Sequence, residues 1–200
     1  MKLRTVLRSA WALAAVLACA LPAQAQNAAG REAAIKAAFL YNFAKFTEWA
    51  DHRFGGESDP AVFCVGADSP MRPAISALQG QLIRSHPIEV MAIVPGSRLS
   101  PCHVLFVDDT LPGAIRRRLE GHEVRGVLTV SDLPNFARSG GDIGLYYESN
   151  HLRFEINIGT AGKGGITFSS KLLQLAVVIG RLSSRQPASL FADIADLFAG

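Results

Sequence analysis

The chain has 200 residues, of which 49% are hydrophobic, so it is long enough to bury a core and short enough to form one domain. Its formal net charge of +3 comes from Lys2, Arg4 and Arg8, because the residues after position 25 carry 17 basic and 17 acidic side chains. A neutral remainder with a single basic run, Arg116 to Arg118, is not expected to bind nucleic acid through its charge.

The first 25 residues have the pattern of a cleaved signal peptide. A basic start precedes an apolar run from Ala10 to Leu21, and Ala23-Gln24-Ala25 forms an A-x-A cleavage site. A run of this length is too short to span a bilayer, which takes about 20 residues. We therefore expect export to the periplasm, with a mature chain that begins at Gln26 and does not insert into the membrane. Lipoprotein processing at Cys19 is the alternative, although Leu17 suits such a site poorly.

The stretch from Lys36 to Trp49, KAAFLYNFAKFTEW, is predicted to be a helix. Large apolar side chains recur there every three or four residues and form one stripe: Ile35, Phe39, Phe43 and Phe46. Lys36 lies outside this stripe. A helical stripe usually faces a core. Because aromatic side chains are also enriched at protein interfaces, both a core role and a partner-binding role stay open.

Between residues 61 and 137, short apolar runs alternate with polar turns and helix signals. The runs predict four buried strands: Ala61 to Ala67, Ile88 to Val94, Cys102 to Val107 and Val127 to Val130. Helices are predicted after three of them, with caps at Ser69, at Asp108 to Thr110 and at Ser131-Asp132, the last helix reaching Ala137. This order is typical of a parallel sheet with helices on its faces.

Acidic side chains follow three of the predicted strands. In an open parallel sheet, functional groups gather at the carboxyl ends of the strands. Asp68, Asp108 and Asp132 would then line a pocket for a small ligand. Helix capping explains the same side chains more simply.

The last quarter of the chain changes pattern. Gly144 to Glu148 and Leu152 to Ile158 flank a tight turn and predict an antiparallel hairpin. A flexible stretch from 159 to 165 and a helix from Ser169 to Leu182 follow. The predicted fold class is therefore α/β: one domain, residues 26–186, with a mostly parallel sheet flanked by helices and a C-terminal antiparallel hairpin. Residues 187–200 are predicted to be a short amphipathic tail, either docked on the core or used for association.

Two cysteines, Cys64 and Cys102, remain after removal of the signal peptide. In an oxidising compartment they are expected to form a disulfide, with buried reduced thiols as the alternative. No cysteine or histidine spacing predicts a metal site. The glycine-rich segment from Gly159 to Gly164 has the wrong spacing for a phosphate loop, and the dinucleotide and serine-hydrolase motifs do not occur. We therefore expect no cofactor and no enzymatic activity.

Four stretches of the chain match a known family: KAAFLYNFAKFTEW at 36–49, VLTVSD at 127–132, RFEINI at 153–158 and SSKLLQLA at 169–176. In order and spacing they resemble the YfiR family of periplasmic proteins, over about residues 33 to 182. The resemblance implies a compact α/β domain, often a homodimer, without activity of its own. It also implies a partner, the periplasmic part of an inner-membrane diguanylate cyclase. Holding that enzyme inactive lowers cyclic di-GMP and restrains biofilm formation.

The resemblance also assigns roles to individual residues. Cys64 and Cys102 match one pair of redox-sensitive cysteines that stabilises the family's fold, whereas a second pair found in some members has no counterpart here. The family's partner surface lies near the last hairpin and helix, and Glu155 is the position carried over from it. An outward-facing place on an edge strand is the alternative for Glu155. The further candidates for partner contacts are the aromatic residues of the first helix: Phe39, Phe43, Phe46 and Trp49.

Two other classes of function stay open beside the regulator. A periplasmic sensor would bind a small ligand in the pocket formed by Asp68, Asp108 and Asp132. An enzyme would use the same strand-end acids in catalysis. Binding of a small ligand, or turnover that depends on these acids, distinguishes them from a regulator that acts by binding another protein.

Overall fold

The structure, a computed structural model, describes residues 21–50, 53–56, 58–120 and 124–180. The predicted tail from 187 to 200, the Cys19 alternative and most of the predicted signal peptide lie outside these residues, so they stay predictions. The helices are α1 (Leu21–Lys45), α2 (Arg72–Ser76), α3 (Gly113–Glu120), α4 (Ile158–Lys163) and α5 (Ser170–Leu173). The strands are β1 (Thr47–Trp49), β2 (Ala61–Gly66), β3 (Leu82–Ile83), β4 (His86–Ile93), β5 (Val104–Val107), β6 (Leu128–Ser131), β7 (Ile143–Glu148), β8 (His151–Asn157), β9 (Ile166–Phe168) and β10 (Val177–Ile179).

A sheet of eight strands, in the order β10-β8-β7-β6-β5-β2-β4-β3, forms the centre of the fold. The run from β4 through β2, β5 and β6 to β7 is parallel, while the β7–β8 hairpin and the short β3–β4 pair are antiparallel. β10 adds a parallel strand outside β8. β1 and β9 form a separate antiparallel pair. The predicted α/β class, with a mostly parallel sheet and a C-terminal hairpin, is confirmed.

The central strands bury side chains on both faces of the sheet, because successive residues of a strand point to opposite sides. Phe63 of β2 and Phe106 of β5 belong to one cluster, which also contains the buried face of α1; we call it the helix-side core. Cys64 and Leu105, their neighbours in the chain, belong to the smaller cluster on the other face. We call that cluster the disulfide-side core. It also contains Cys102, Ile93, Leu99, Val107, Leu111, Ile115 and Val127.

The predicted disulfide lies within this smaller core. Cys64 and Cys102 are bonded, their Cα atoms are 5.8 Å apart, and both residues are almost completely buried. The bridge joins β2 to the segment that enters β5, which confirms the predicted pairing.

Helix α1 differs from the prediction at its end and on its buried face. It stops at Lys45, where the Thr47 hydroxyl donates to the Phe43 carbonyl at 2.7 Å, and the next residues pair with β9 instead. Ile35 is 51% exposed, so the predicted stripe was wrong there. The buried face is one step around the helix, at Lys36, Ala37, Leu40, Phe43 and Ala44.

Two helix predictions before β7 also need correction. Residues 132–139 form turns and not a helix, since the Ser131 hydroxyl accepts from the amide of Leu133 in a local turn. Helix α2 begins at Arg72, later than expected. Ser69 does not cap it, because the Ser69 hydroxyl donates to Asp108 while accepting from the Met71 amide.

After the hairpin, the glycine-rich stretch predicted to be flexible contains α4. Asn157 caps this helix, since its side-chain oxygen accepts from the amides of Gly159 and Thr160, both at 3.1 Å. The predicted helix from 169 to 182 is only the four-residue α5, which Ser169 caps. The β-branched run Val177–Ile179 continues as β10, because it pairs with β8 and completes the sheet.

Candidate partner-binding cleft

A cleft of about 560 Å³ lies beside the β7–β8 hairpin. We call it the hairpin cleft. The residues that line it come from α1, the turns after β6 and the hairpin itself: Glu32, Lys36, Asp132, Leu133, Pro134, Asn135, Phe136, Arg138, Gly144, Leu145, Tyr146, Tyr147, Leu152 and Glu155. It therefore joins distant parts of the chain at one surface of mixed charged and apolar side chains.

The hairpin holds Glu155 at a fixed place in this cleft. Its turn residues, Ser149 and Asn150, have φ angles of 48° and 64°, and a left-handed pair of this kind matches the twist of antiparallel strands. The resulting register sets Glu155 opposite Gly144. Because Gly144 has no side chain, the Glu155 side chain has room above it.

Glu155 is buried and ion-paired. It is 7% exposed, and its Oε2 accepts from Arg138 Nη2 at 2.9 Å. Since β10 pairs with β8, Glu155 does not lie on an edge strand, and the alternative of an outward-facing edge position was wrong. Arg138 is more than half exposed, so this charge pair reaches from the interior to the surface.

Lys36 forms the second charged centre of the cleft. Its ammonium group lies 2.5 Å from Asp132 Oδ2 and 2.6 Å from Glu32 Oε1, although the residue is 8% exposed. Burial alone would lower the pKa of Lys36, but hydrogen bonds to Asp132 and Glu32, with the two negative charges, raise it above its ordinary value. The lysine therefore stays charged and ties α1 to the carboxyl end of β6.

The cleft offers a protein partner both fixed charges and an aromatic side chain. Lys36 and Glu155 are buried and held by ion pairs, whereas Arg138, the partner of Glu155, and Tyr147 are exposed at the rim. Preorganised polar groups beside an exposed aromatic ring are the composition of a protein interface. Within the described residues, no group of three or more potential ligands could hold a metal ion.

The aromatic residues predicted to bind a partner are not gathered in this cleft. Phe43 is 1% exposed and packs against Phe154 with ring centroids 4.9 Å apart, so it contacts the core in this conformation. Phe39 is half-buried beside the same ring, and Phe46 is half-buried against the helix-side core. Trp49 lines a separate cavity of about 360 Å³.

The three acids of the alternative ligand pocket also occupy different environments. Asp68 is exposed. Asp108 is buried and accepts from the Ser69 hydroxyl and from the amide of Thr110 at 3.0 Å, which holds the turn after β5. Asp132 lies in the hairpin cleft with Lys36. Neither Asp68 nor Asp108 lines the hairpin cleft or the cavity at Trp49.

Sequence reasoning missed an aromatic stack on the loop before β2. The ring of Phe54 lies between His86 and His103, with centroids 3.9 Å and 4.3 Å apart. Arg53 donates from Nε to the Gly126 carbonyl at 2.8 Å, and its guanidinium also donates to the Cys102 carbonyl. Burial and the charge of Arg53 lower the pKa of His103 to about 4, so this histidine is neutral at pH 7.

The Nδ1 atom of His103 accepts from the Val62 amide at 3.0 Å, so the ring joins β2 to β5. The only sign of this stack in the sequence is the histidine next to Cys102. No local spacing relates that histidine to residue 53.

The described residues contain no helix that is both long enough and apolar enough to cross a membrane. A family model described as DUF4154: YfiR/HmsC-like matches residues 33–177. That range contains the disulfide, both cores and every residue that lines the hairpin cleft except Glu32. No curated protein matches the chain.

Proposed function

Because this chain belongs to the YfiR/HmsC-like family, we propose that it binds the periplasmic region of an inner-membrane diguanylate cyclase and holds that enzyme inactive. The family consists of periplasmic regulators and is not a known enzyme family. The observation that carries the proposal is the match across residues 33–177, which includes every structural element from most of α1 to β9. Inhibition of such an enzyme lowers cyclic di-GMP, and with it biofilm formation.

We further propose that the hairpin cleft is the surface that binds the cyclase. Glu155, the position singled out by the family resemblance, lies in this cleft, and its charge is held by Arg138. A charge that is already ordered before binding costs little entropy when a partner docks. Exposed Tyr147 and Arg138 add the two kinds of side chain that most often dominate binding energy.

The test is loss of regulation in a variant that keeps the shape of the cleft. Deletion of the gene should raise cyclic di-GMP in the producing organism, and the wild-type protein should lower it again. Glu155→Gln removes the charge but not the volume, so it should fail to restore regulation. It should also weaken retention of the cyclase periplasmic region by about tenfold, since a hydrogen bond to a charged group contributes about 1.5 kcal/mol.

Glu148→Gln is the matched control for this experiment. Glu148 lies on the same hairpin and pairs with Arg153 at 3.7 Å, but it is 63% exposed and does not line the cleft. It should regulate like the wild type. If deletion leaves cyclic di-GMP unchanged and the immobilised protein retains no cyclase, the proposed function is wrong. If the two glutamate variants behave alike, the cleft is not the binding surface.

The proposal includes a homodimer, and the outer edge of β10 supports it. β10 pairs with β8 on one side, and no strand among the described residues pairs with its other side. Val177 is 47% exposed there, next to exposed Val178 and Leu175. An open apolar edge invites pairing with a second copy, and an edge lysine opposes it. Val177→Lys should therefore shift the sedimentation coefficient to that of a monomer, whereas Val94→Lys, at a position 48% exposed beyond β4, should not.

A further inference from the structure

A second cavity, of about 410 Å³, lies on the disulfide side of the sheet and has no role in the proposed function. We call it the inner cavity. Apolar side chains from the end of β5, from α3 and from the segments on either side of β6 form much of its wall: Val107, Leu119, Val124, Val127, Leu133 and Phe136. Cavities of about 300 to 1,000 Å³ with an apolar wall and a few polar groups are typical of small-molecule sites. Its size and wall therefore suit a ligand with an apolar body.

A single buried carboxylate, Asp142, provides the deep polar group. Asp142 is 4% exposed, and its Oδ2 accepts from the amide of Thr129 at 2.9 Å and from the Thr129 hydroxyl at 2.8 Å. These bonds fix the carboxyl group, while no hydrogen bond from the described residues reaches Oδ1. No cation among those residues pairs with the group, and burial raises the pKa of Asp142 to about 6. Asp142 can therefore accept a hydrogen bond from a ligand.

Positive side chains provide the second polar region of the cavity. Among the described residues, Arg116, Arg125 and Lys163 line it, and Asp142 is the one acid that does so. Arg125 and Lys163 are exposed. Arg116 forms an ion pair with exposed Asp109, with 3.2 Å between Nη1 and Oδ1. Because the cations are at the surface and the acid is buried, the two polar regions lie at different depths. An anionic group is favoured at the mouth and a hydrogen-bond donor at the base.

We infer that the inner cavity binds a small amphiphilic carboxylic acid that carries a hydroxyl group at the end remote from its carboxylate. The carboxylate lies near Lys163 and Arg125, the apolar body lies against Phe136 and its neighbours, and the hydroxyl group donates to Asp142 Oδ1. A ligand without the donor would enclose Asp142 Oδ1 without a hydrogen-bond partner, which is costly.

Isothermal titration of the purified protein with three related probes tests this assignment. The first probe, 4-hydroxyphenylacetate, has both polar groups. 4-Methoxyphenylacetate replaces the donor by an acceptor, and it should bind about tenfold more weakly, because a hydrogen bond to a charged group is worth about 1.5 kcal/mol or more. 2-(4-Hydroxyphenyl)ethanol lacks the carboxylate and should bind about threefold more weakly, as expected for the loss of an exposed charge pair.

Asp142→Asn tests the donor site without changing its volume. The amide oxygen can accept from Thr129 as the carboxylate does, which leaves the amide NH2 to face the ligand. The variant should therefore lose the preference for 4-hydroxyphenylacetate, because its NH2 donates to the methoxy oxygen of the other probe. A residue with a purely structural role would change both affinities together and keep their ratio.

Lys163→Ala tests the mouth, and Lys171→Ala is its matched control. Both lysines are exposed and lie on short neighbouring helices, but only Lys163 lines the cavity. Lys163→Ala should weaken the binding of 4-hydroxyphenylacetate about threefold and leave the affinity for the alcohol probe unchanged. Lys171→Ala should change neither affinity. No binding at millimolar concentration would overturn the inference. An unchanged probe ratio in Asp142→Asn would also overturn it, whatever the outcome at Lys163.

Discussion

The two faces of the central sheet are covered in different ways. On one face, the 25-residue α1 lays Leu40 and Phe43 across the strands and closes the helix-side core. On the other, the eight-residue α3 and the turns after β6 cover less of the sheet, and a disulfide and the inner cavity lie beneath them. Packing therefore stabilises the first face. A covalent bond helps to stabilise the second face, where the packing leaves room for a cavity.

Truncation of Phe43 is the strongest way to break the well-packed face. Phe43 is 1% exposed and contacts the rings of Phe39 and Phe154, so Phe43→Ala should lower the free energy of unfolding by up to about 5 kcal/mol. Urea denaturation measures this loss. Ile35→Ala is the control on the same helix: Ile35 is 51% exposed, and its loss should cost less than about 1 kcal/mol. Equal costs would mean that α1 does not close this core as described.

Removal of the disulfide tests the other face. The bridge closes a loop with a sequence separation of 38, so the double variant Cys64→Ala/Cys102→Ala should lose up to about 4 kcal/mol of unfolding free energy. Urea denaturation of the variant and of the oxidised wild type gives the difference. A variant as stable as the wild type would show that packing alone is sufficient on this face.

The buried carboxyl group of the inner cavity makes the same face sensitive to pH. The pKa of Asp142 is raised from 3.8 to about 6, so the folded protein holds this proton more tightly than the unfolded chain does. Its contribution to stability is complete below about pH 4 and is lost as the pH rises through 6. Asp142→Asn has no proton to lose at this position. Its free energy of unfolding relative to that of the wild type should therefore increase by up to about 3 kcal/mol between pH 4 and pH 7.5.

Thermal and urea denaturation at a series of pH values measure this difference. Thr129→Val removes a hydroxyl donor that lowers the pKa of Asp142, so this variant should keep the dependence on pH and strengthen it. A constant difference between Asp142→Asn and the wild type would contradict a raised pKa.

A second covalent bond would make the two faces more nearly equal. An ideal Cβ atom on Gly144 would lie 3.5 Å from the Cβ of Ala137, within the range that a disulfide spans. Ala137→Cys/Gly144→Cys should therefore form a disulfide that ties the turns after β6 to β7. The gain should be at most about 2 kcal/mol, because the new Cβ also lies 3.3 Å from the Ala137 amide nitrogen and 3.5 Å from Glu155 Cγ. Mass spectrometry detects the bond, and the reduced double variant is the control. Two free thiols after air oxidation would contradict this geometry.

Local patterns were sufficient to predict most of the sheet. Short apolar runs placed β2, β4, β5 and β6 within two residues of their observed ends, and the turn at Ser149-Asn150 gave the hairpin. Patterns failed where pairing between distant segments decided the structure. Val177–Ile179 has the composition of either a helix end or a strand, and only the presence of β8 beside it selects the strand.

The hairpin cleft could be predicted only in part for the same reason. Glu155 was identified through the family motif. Its partner Arg138 and the bond between Lys36 and Asp132, which are 96 residues apart in the chain, depend on the folded topology. The spacing placed Lys36 off the apolar stripe, and a charged residue is normally exposed. Its two carboxylate partners make burial favourable, and no local spacing reveals them.

Three residues are walls of both the hairpin cleft and the inner cavity: Leu133, Pro134 and Phe136. Gly141 lets the Phe136 ring lie close, since a Cβ atom there would be 2.1 Å from the ring. These residues separate the hairpin cleft from the inner cavity, so a displacement of the Phe136 ring changes the shape of both. If a ligand in the cavity and a protein in the cleft favour different positions of this ring, linkage requires that each lower the affinity of the other by the same factor.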